Sequence, residues 1–226
     1  MNLDDTQIFV DGENLDFRYQ EMLAAGHVPR PDNIHIKDCF VWNQRVLDKH
    51  VWSIKRLAYY TSVTGDDAYV RDVRAQIAAT CFSCVMGHVA GTTIRTGQIM
   101  PFVRKKSGKS RKESVCDIAI AVDVMRSCYR DHAEIIWLFS GDGDFLQLLH
   151  EVVHSGKCAY LSALSSGQND ELRFVVDEFL PLDMHFFLTE EEVAEAKAVA
   201  EASVHPTESN VALAESGDKD GAPTGA

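Results

Sequence analysis

Two acidic motifs in this chain each follow an apolar run. Ile135-Ile-Trp-Leu-Phe139 leads into Ser140-Gly-Asp-Gly-Asp144, and Ile8-Phe-Val10 leads into Asp11-Gly-Glu-Asn14. A buried strand that stops at an acid and a glycine delivers that acid to one edge of a sheet. In open α/β sheets the carboxyl edge is where ligands bind. A third segment, Val115 to Asp123, reads as a helix with Asp117 in its first turn, where a carboxylate also suits the helix dipole. Asp123 lies six residues further on, about 600° around the helix, so the two acids do not share a face. Asp117 is expected near Asp11 and Asp142, with Asp123 behind as a buried pairing partner. Singly, each acid has an ordinary explanation as a turn residue or a helix cap. Together they crowd one edge with negative charge, which repels unless a cation neutralises it. Oxygen-only ligands favour Mg²⁺ or Mn²⁺ over zinc.

The elements that must position these acids alternate along the chain. Strand character is expected at about 6–11, 51–60, 84–89, 94–103, 135–140 and 157–161. Helical spacing is expected over 14–25, 66–79, 115–129 and 145–154, with a last helix and return over 168–180. Such alternation implies right-handed βαβ units and a mainly parallel sheet with helices on both faces. The segment from Ala25 to Lys49, with Pro29 and Pro31, is expected to be a lid or substrate loop. Gly141 and Gly143 are expected to supply backbone freedom beside an ion.

The chain has 226 residues, 46% hydrophobic and 25% charged, which suits a soluble globular protein of one or two domains. No apolar run approaches a membrane span and the start lacks a basic, then apolar leader, so a cytoplasmic protein with no membrane partner is expected. The six cysteines are scattered in apolar surroundings, which favours buried thiols over a disulfide framework. A net charge of −12 argues against nucleic acid only until its distribution is considered. Residues 189–226 hold nine acids and two lysines. This segment divides from a body of 1–188 as an acidic Ala/Glu-rich tail, helical over about 190–201 and disordered beyond about 203. Within the body, Arg104, Lys105, Lys106, Lys109, Arg111 and Lys112 form a basic run of six in nine positions.

Other motifs lead nowhere. His150-Glu-Val-Val-His154 matches the zinc-protease pattern literally, but lacks the extended His-x-x-Gly-x-x-His continuation. Cys81, Cys84 and His88 have no second ligand pair at zinc-finger spacing. Gly108-Lys-Ser110 imitates the end of a phosphate-binding loop, but Val103 stands where its first glycine belongs. Gly141-Asp-Gly143 begins a dinucleotide fingerprint that Leu146 breaks.

The blocks Ile8–Asn14, Val115–Asp123 and Ser140–Phe145 resemble the three signature blocks of the NYN domain. This is a branch of the PIN-like nuclease superfamily that includes bacterial LabA-like proteins, and the resemblance spans roughly residues 6 to 183. It implies a PIN-like three-layer α/β/α sandwich whose acidic cluster binds Mg²⁺ or Mn²⁺ and hydrolyses RNA, single-stranded RNA being the expected partner. The matching positions are Asp11, Asn14, Asp117, Asp142 and Asp144, with Asp123 as the second acid of the helix. The family usually carries a lysine just before the helix block, whereas the nearest basic residue here is Lys112. On this reading Asp11, Asp117, Asp142 and Asp144 hold metal and Asn14 orients a carboxylate or contacts phosphate. Ser140 either packs or places water, and Arg18 joins the basic run in holding the phosphodiester backbone. Two alternatives stand beside it: an RNA-binding regulatory module with little or no hydrolysis, and a phosphohydrolase for small substrates. Pairing into a homodimer is left open.

Overall fold

The computed structural model describes residues 5–47, 53–88, 91–106 and 115–204, and the chain divides into two compact units, Met1–Leu188 and Thr189–Ala226. In the first unit, β1 (Asp5–Asp11), β4 (Ser53–Val63), β7 (Met100–Lys105), β8 (Ile135–Phe139), β9 (Cys158–Ala163) and β10 (Glu178–Pro181) form one sheet. Its order is β10-β9-β8-β1-β4-β7, and every neighbouring pair is parallel. Helices α1 (Gly12–Ala24), α2 (Asp67–Ala79), α3 (Val115–Tyr129) and α4 (Leu146–His154) cover it.

Strand alternation builds two cores, one on each face. Ile8 and Val10 of β1, Leu57 and Tyr59 of β4, and Trp137 and Phe139 of β8 pack with Leu15, Tyr19 and Met22 of α1 and Val73 and Ile77 of α2. Their in-between neighbours Phe9, Ala58, Tyr60, Ile136 and Leu138 pack instead with Ile120 and Val124 of α3 and Leu149 and Val152 of α4. The strands are buried on both sides, which is why they read as continuous apolar runs. The result is the three-layer α/β/α sandwich expected of a PIN-like fold.

The chain leaves β1 toward β4 on one side and returns to β8 on the other, so the direction of winding reverses between β1 and β8. At such a reversal the two flanking connections diverge and open a crevice at the carboxyl ends. Register places Val10 beside Phe139 and Asp11 beside Tyr60, so Asp11 and Ser140 are the next residues out on adjacent strands.

Three sequence expectations are corrected. The segments at 84–89 and 94–103 are not two strands of the main sheet. β5 (Cys81–His88) and β6 (Gly91–Gln98) form a separate antiparallel hairpin, and β7 follows. A connection this short permits only antiparallel pairing, since a parallel crossover needs a dozen or more residues. The last helix expected over 168–180 is instead a 3₁₀ turn at Asp170–Phe174 followed by edge strand β10. The segment after Ala25 is no lid over its described length. β2 (Ile34–Ile36) and β3 (Phe40–Trp42) pair as a hairpin, with Phe40, Val41 and Trp42 buried in the core and the Tyr59 hydroxyl accepting from Val41 N at 3.0 Å. Lys109, Arg111, Lys112 and the tail beyond 204 lie outside the described residues.

In the second unit, α5 having closed the first at Asp183–Phe186, α6 runs over Glu190–Val204. It starts on a reciprocal capping box, Thr189 N to Glu192 at 2.8 Å and Glu192 N to Thr189 Oγ1 at 3.3 Å.

Gly12 begins α1 where no side chain fits. A Cβ there would lie 2.7 Å from the Tyr60 carbonyl oxygen and would run into the Tyr59 ring. Alanine raises helix propensity by at most about 1 kcal/mol, whereas forcing buried backbone apart costs roughly 1–3 kcal/mol. Gly12→Ala is therefore expected to lower the midpoint of urea unfolding, despite being a glycine-to-alanine change in a helix.

Candidate active site

Asp11 closes the central strand with its carboxylate 2% exposed. One oxygen accepts from Ser140 Oγ at 2.8 Å, the other from Asn14 N at 3.2 Å as the cap of α1. Ser140 in turn accepts from Asp142 N at 3.2 Å, and Asn14 Oδ1 accepts from Gly141 N at 3.1 Å. The ends of β1 and β8 are thus tied twice through side chains. Asp142 Oδ1 accepts from Asp144 N at 3.0 Å, capping the 3₁₀ turn Gly143–Phe145 that leads into α4.

Burial pushes the Asp11 carboxyl up to about 7. The hydrogen bonds from Ser140 and Asn14 pull against it, and the negative charges of Asp117 and Glu13 add to it. Asp117, on the first turn of α3, and Asp144 share the rim of one groove beside this edge. Cys116, buried next to Asp117, has its thiol pushed up to about 12 by burial and by Glu13, so it is not a nucleophile at neutral pH.

The sequence reading omitted Glu13 from the site. Glu13 accepts from the Ser62 hydroxyl and pairs with Lys106 Nζ at 2.9 Å, which brings the start of the basic run to the acidic edge. The signal lay in the motif itself, Asp11-Gly-Glu-Asn14, where the acid follows the strand end by two positions.

Other expected residues meet partners of their own. Asp123 is taken up by the Tyr60 hydroxyl at 2.9 Å and by Arg126, on the face of the sheet that α3 covers. Arg18 pairs with Glu21 at 2.8 Å, and Ser166 also donates to Glu21, so Arg18 braces α1 against the 164–169 loop. Lys105 pairs with Asp67 at 2.8 Å, while Arg104 lines a shallow groove with Arg74 and Phe102. Gly141 and Gly143 are not in the left-handed region. Added Cβ atoms would meet Gln168 Cα at 3.2 Å and the Asn169 side chain, with the Asn169 Cγ at 3.2 Å. They are glycines because the 167–169 loop packs closely against them, its Asn169 N donating to Gly141 O at 3.0 Å.

The donor set is all oxygen and includes one deeply buried carboxylate, which suits a hard cation. Among the described residues, no three acids, histidines or cysteines are drawn into a preassembled ligand set. Magnesium needs none, since it commonly binds through one or two carboxylates and keeps several waters.

The folded protein holds the Asp11 proton up to about pH 7, while the unfolded chain releases it near the ordinary aspartate value of 3.8. Stability from this group is full below about pH 4 and is lost as pH rises through 7, a change of about 4 kcal/mol. In chelator, Asp11→Asn is expected to unfold at a higher temperature than wild type at pH 8 and to lose that advantage at pH 4. Parallel melting curves at both values would show it. Equal differences at the two pH values would mean that Asp11 carries no such burden.

Among the described residues, no helix is long and apolar enough to cross a membrane. A comparison with curated proteins finds no match. Among solved structures, the fold is similar to that of VPA0982, a protein of unknown function from Vibrio parahaemolyticus RIMD 2210633. The TM-score is 0.53 at 16% identity, covering 82% of this chain and 97% of the other. The NYN domain model matches residues 5–183, the span that contains the whole sheet and every acid at its carboxyl edge, and the chain belongs to the NYN domain family.

Proposed function

We propose that this NYN domain is a metal-dependent ribonuclease that cleaves single-stranded RNA at the edge formed by Asp11, Asp117, Asp142 and Asp144. The observation that carries the reading is the buried Asp11 carboxylate, fixed by Ser140 and Asn14 and crowded by Asp117 and Glu13. A carboxylate held in so unfavourable a setting is characteristic of a site that uses charge.

Asp11, Asp117, Asp142 and Asp144 would hold Mg²⁺ or Mn²⁺. Such an ion supplies charge for the scissile phosphate and acidifies a bound water. The chain's own residues do the positioning. Ser140 and Asn14 fix the orientation of Asp11, and the backbone amide of Asp144 fixes that of Asp142. Lys106 meets the edge through Glu13, and Lys105 lies one residue before it. Their ion pairs are half-exposed and worth little in water, so an RNA phosphate can replace either partner at small cost. These contacts favour binding without reading sequence. The lack of the family's usual lysine just before the helix block, where Lys112 is the nearest basic residue, favours one second reading, an RNA-binding module with little hydrolysis.

Labelled single-stranded RNA incubated with purified protein is expected to be cut with Mn²⁺ or Mg²⁺. EDTA should stop the cleavage, and Asp142→Asn should lower the rate by at least about a hundredfold. Binding of RNA without any turnover would replace the nuclease with the binding module. Lys106→Ala is expected to weaken RNA uniformly across sequences and to reduce the slope of log affinity against log salt by about 1. An unchanged slope would remove Lys106 from the phosphate track.

A further inference from the structure

Helix α3 has two apolar faces. Cys116, Ile120, Val124 and Cys128 face the sheet and are buried, yet Ile118 is 64% exposed and Val122 49% exposed. Exposed apolar residues on a helix that has already paired its core face are informative when they line a cavity. Ile118, Ala121 and Met125 form one wall of a groove of about 430 Å³, with Leu148 of α4 opposite and Phe145 contributing to its lining. That volume lies in the usual range for small-ligand pockets, roughly 300–1,000 Å³.

The two ends of this groove differ in chemistry. Asp117 and Asp144, which belong to the acidic edge, line it at the start of α3 and just before α4. Gln147 and Glu151 continue along α4. From Asp144 to Glu151 is about 10 Å along the helical path, a length on the scale of one nucleotide. Gln147 and Glu151 are four residues apart and share a face.

We propose that the groove between α3 and α4 is a base subsite. It takes one unstacked nucleobase of an RNA strand whose phosphate lies at Asp117 and Asp144, and it selects bases that present N–H donors to Glu151. The proposal rests on the nucleic-acid reading of the acidic edge. Continuity with that edge identifies the occupant, because two carboxylates belong to both. Charge complementarity narrows it further. Among the described residues the lining has no basic side chain, so without a bound cation a phosphate or an acidic peptide is repelled. A base has apolar faces for Ile118, Met125 and Leu148 and a polar edge for Gln147 and Glu151. RNA recognition commonly uses such splayed-out bases, read on their hydrogen-bonding edges.

The carboxylate sets the order of preference. Guanine offers two adjacent N–H donors on its Watson–Crick edge, which one carboxylate can accept together. Adenine and cytosine each offer one amino group. Uracil offers a single N–H between two carbonyls, which Glu151 repels. Glutamate and aspartate accepting from base amino groups, and bidentate pairing generally, discriminate by a factor of about five or more.

The test measures binding with Ca²⁺ in place of Mg²⁺ or Mn²⁺, so that a cation seats the phosphate, using full-length protein and the labelled pentamers UUGUU, UUAUU, UUCUU and UUUUU, each checked to be intact afterwards. Wild type is expected to bind UUGUU at least about fivefold tighter than UUUUU. Glu151→Gln should erase that preference, weakening UUGUU and relieving the repulsion of UUUUU. Ile118→Asn should weaken all four, and both variants should melt like wild type because both positions are exposed. A guanine preference that depends on Glu151, in a protein that cleaves no RNA with any metal, supports the subsite and removes the catalytic reading. Equal affinity for all four pentamers, in a protein that does cleave RNA, overturns the subsite and leaves the nuclease standing. So does light scattering that shows a dimer dissolved by Ile118→Asn with no base preference, since the groove would then join two copies of the chain.

Discussion

The burial of one carboxylate between the ends of β1 and β8 is the constraint around which this site is organised. Asp11 reaches the point where the winding of the sheet reverses, and removing its charge from water is costly. Two hydrogen bonds offset part of that cost, but the carboxyl is still pushed up to about 7. Supplying those bonds dictates the neighbours. Ser140 must stand where β8 ends, donating to Asp11 while accepting from Asp142 N. Asn14 must sit in the first turn of α1, donating its backbone amide to Asp11 and accepting from Gly141 N on its side-chain oxygen. The 167–169 loop then closes over Gly141 and Gly143, leaving no room for a side chain at either. The second strand end is therefore shaped by the requirements of the first.

Charge is arranged unevenly around this edge. On one side Glu13 meets Lys106, the first sign of the basic run. On the other, Asp117 and Asp144 open onto an apolar groove with no cation among the described residues of its lining. An RNA strand crossing from the first side to the second would meet its phosphate contacts before its apolar ones. A net charge of −12 is no obstacle to this, because repulsion between exposed charges is largely screened beyond about a Debye length.

The sheet was legible because its strands are buried on both faces. Ile8–Val10 and Ile135–Phe139 admit few other readings, and the 3.6-residue spacing of α3 shows in Cys116, Ile120 and Val124. The elements that the sequence hid are those whose identity depends on pairing. β10 is a four-residue edge strand, no residue of it fully buried, that exists because Asp177 and its successors find β9. β5 and β6 have the composition of sheet strands, and only the shortness of their connection sends them into a hairpin. At the site, residue types identified the acids but not their division of labour. Arg18 looked like a phosphate-holding companion of the cluster, yet it is occupied with Glu21, whereas Asp123 is paired behind the site as its place on the helix implied. Glu13 was passed over as one acid among several, because Ser62 and Lys106, which fix its place, are about fifty and ninety residues away in sequence.

The ordinary explanation of Asp142, that it caps a turn, is correct and does not compete with its proposed role in holding a metal ion. A carboxylate has about four lone-pair sites, and the bond from Asp144 N occupies one of them on Oδ1. Capping also removes the rotamer freedom that a ligand would otherwise lose on binding, a loss on the order of 1 kcal/mol for a short side chain. The same holds for Asp11, whose bonds from Asn14 and Ser140 leave further lone pairs on both oxygens. Acids that look merely structural one at a time are, in this arrangement, pre-oriented at the carboxyl edge. That is what a weakly held, water-retaining ion such as Mg²⁺ requires of a protein that gives it few direct ligands.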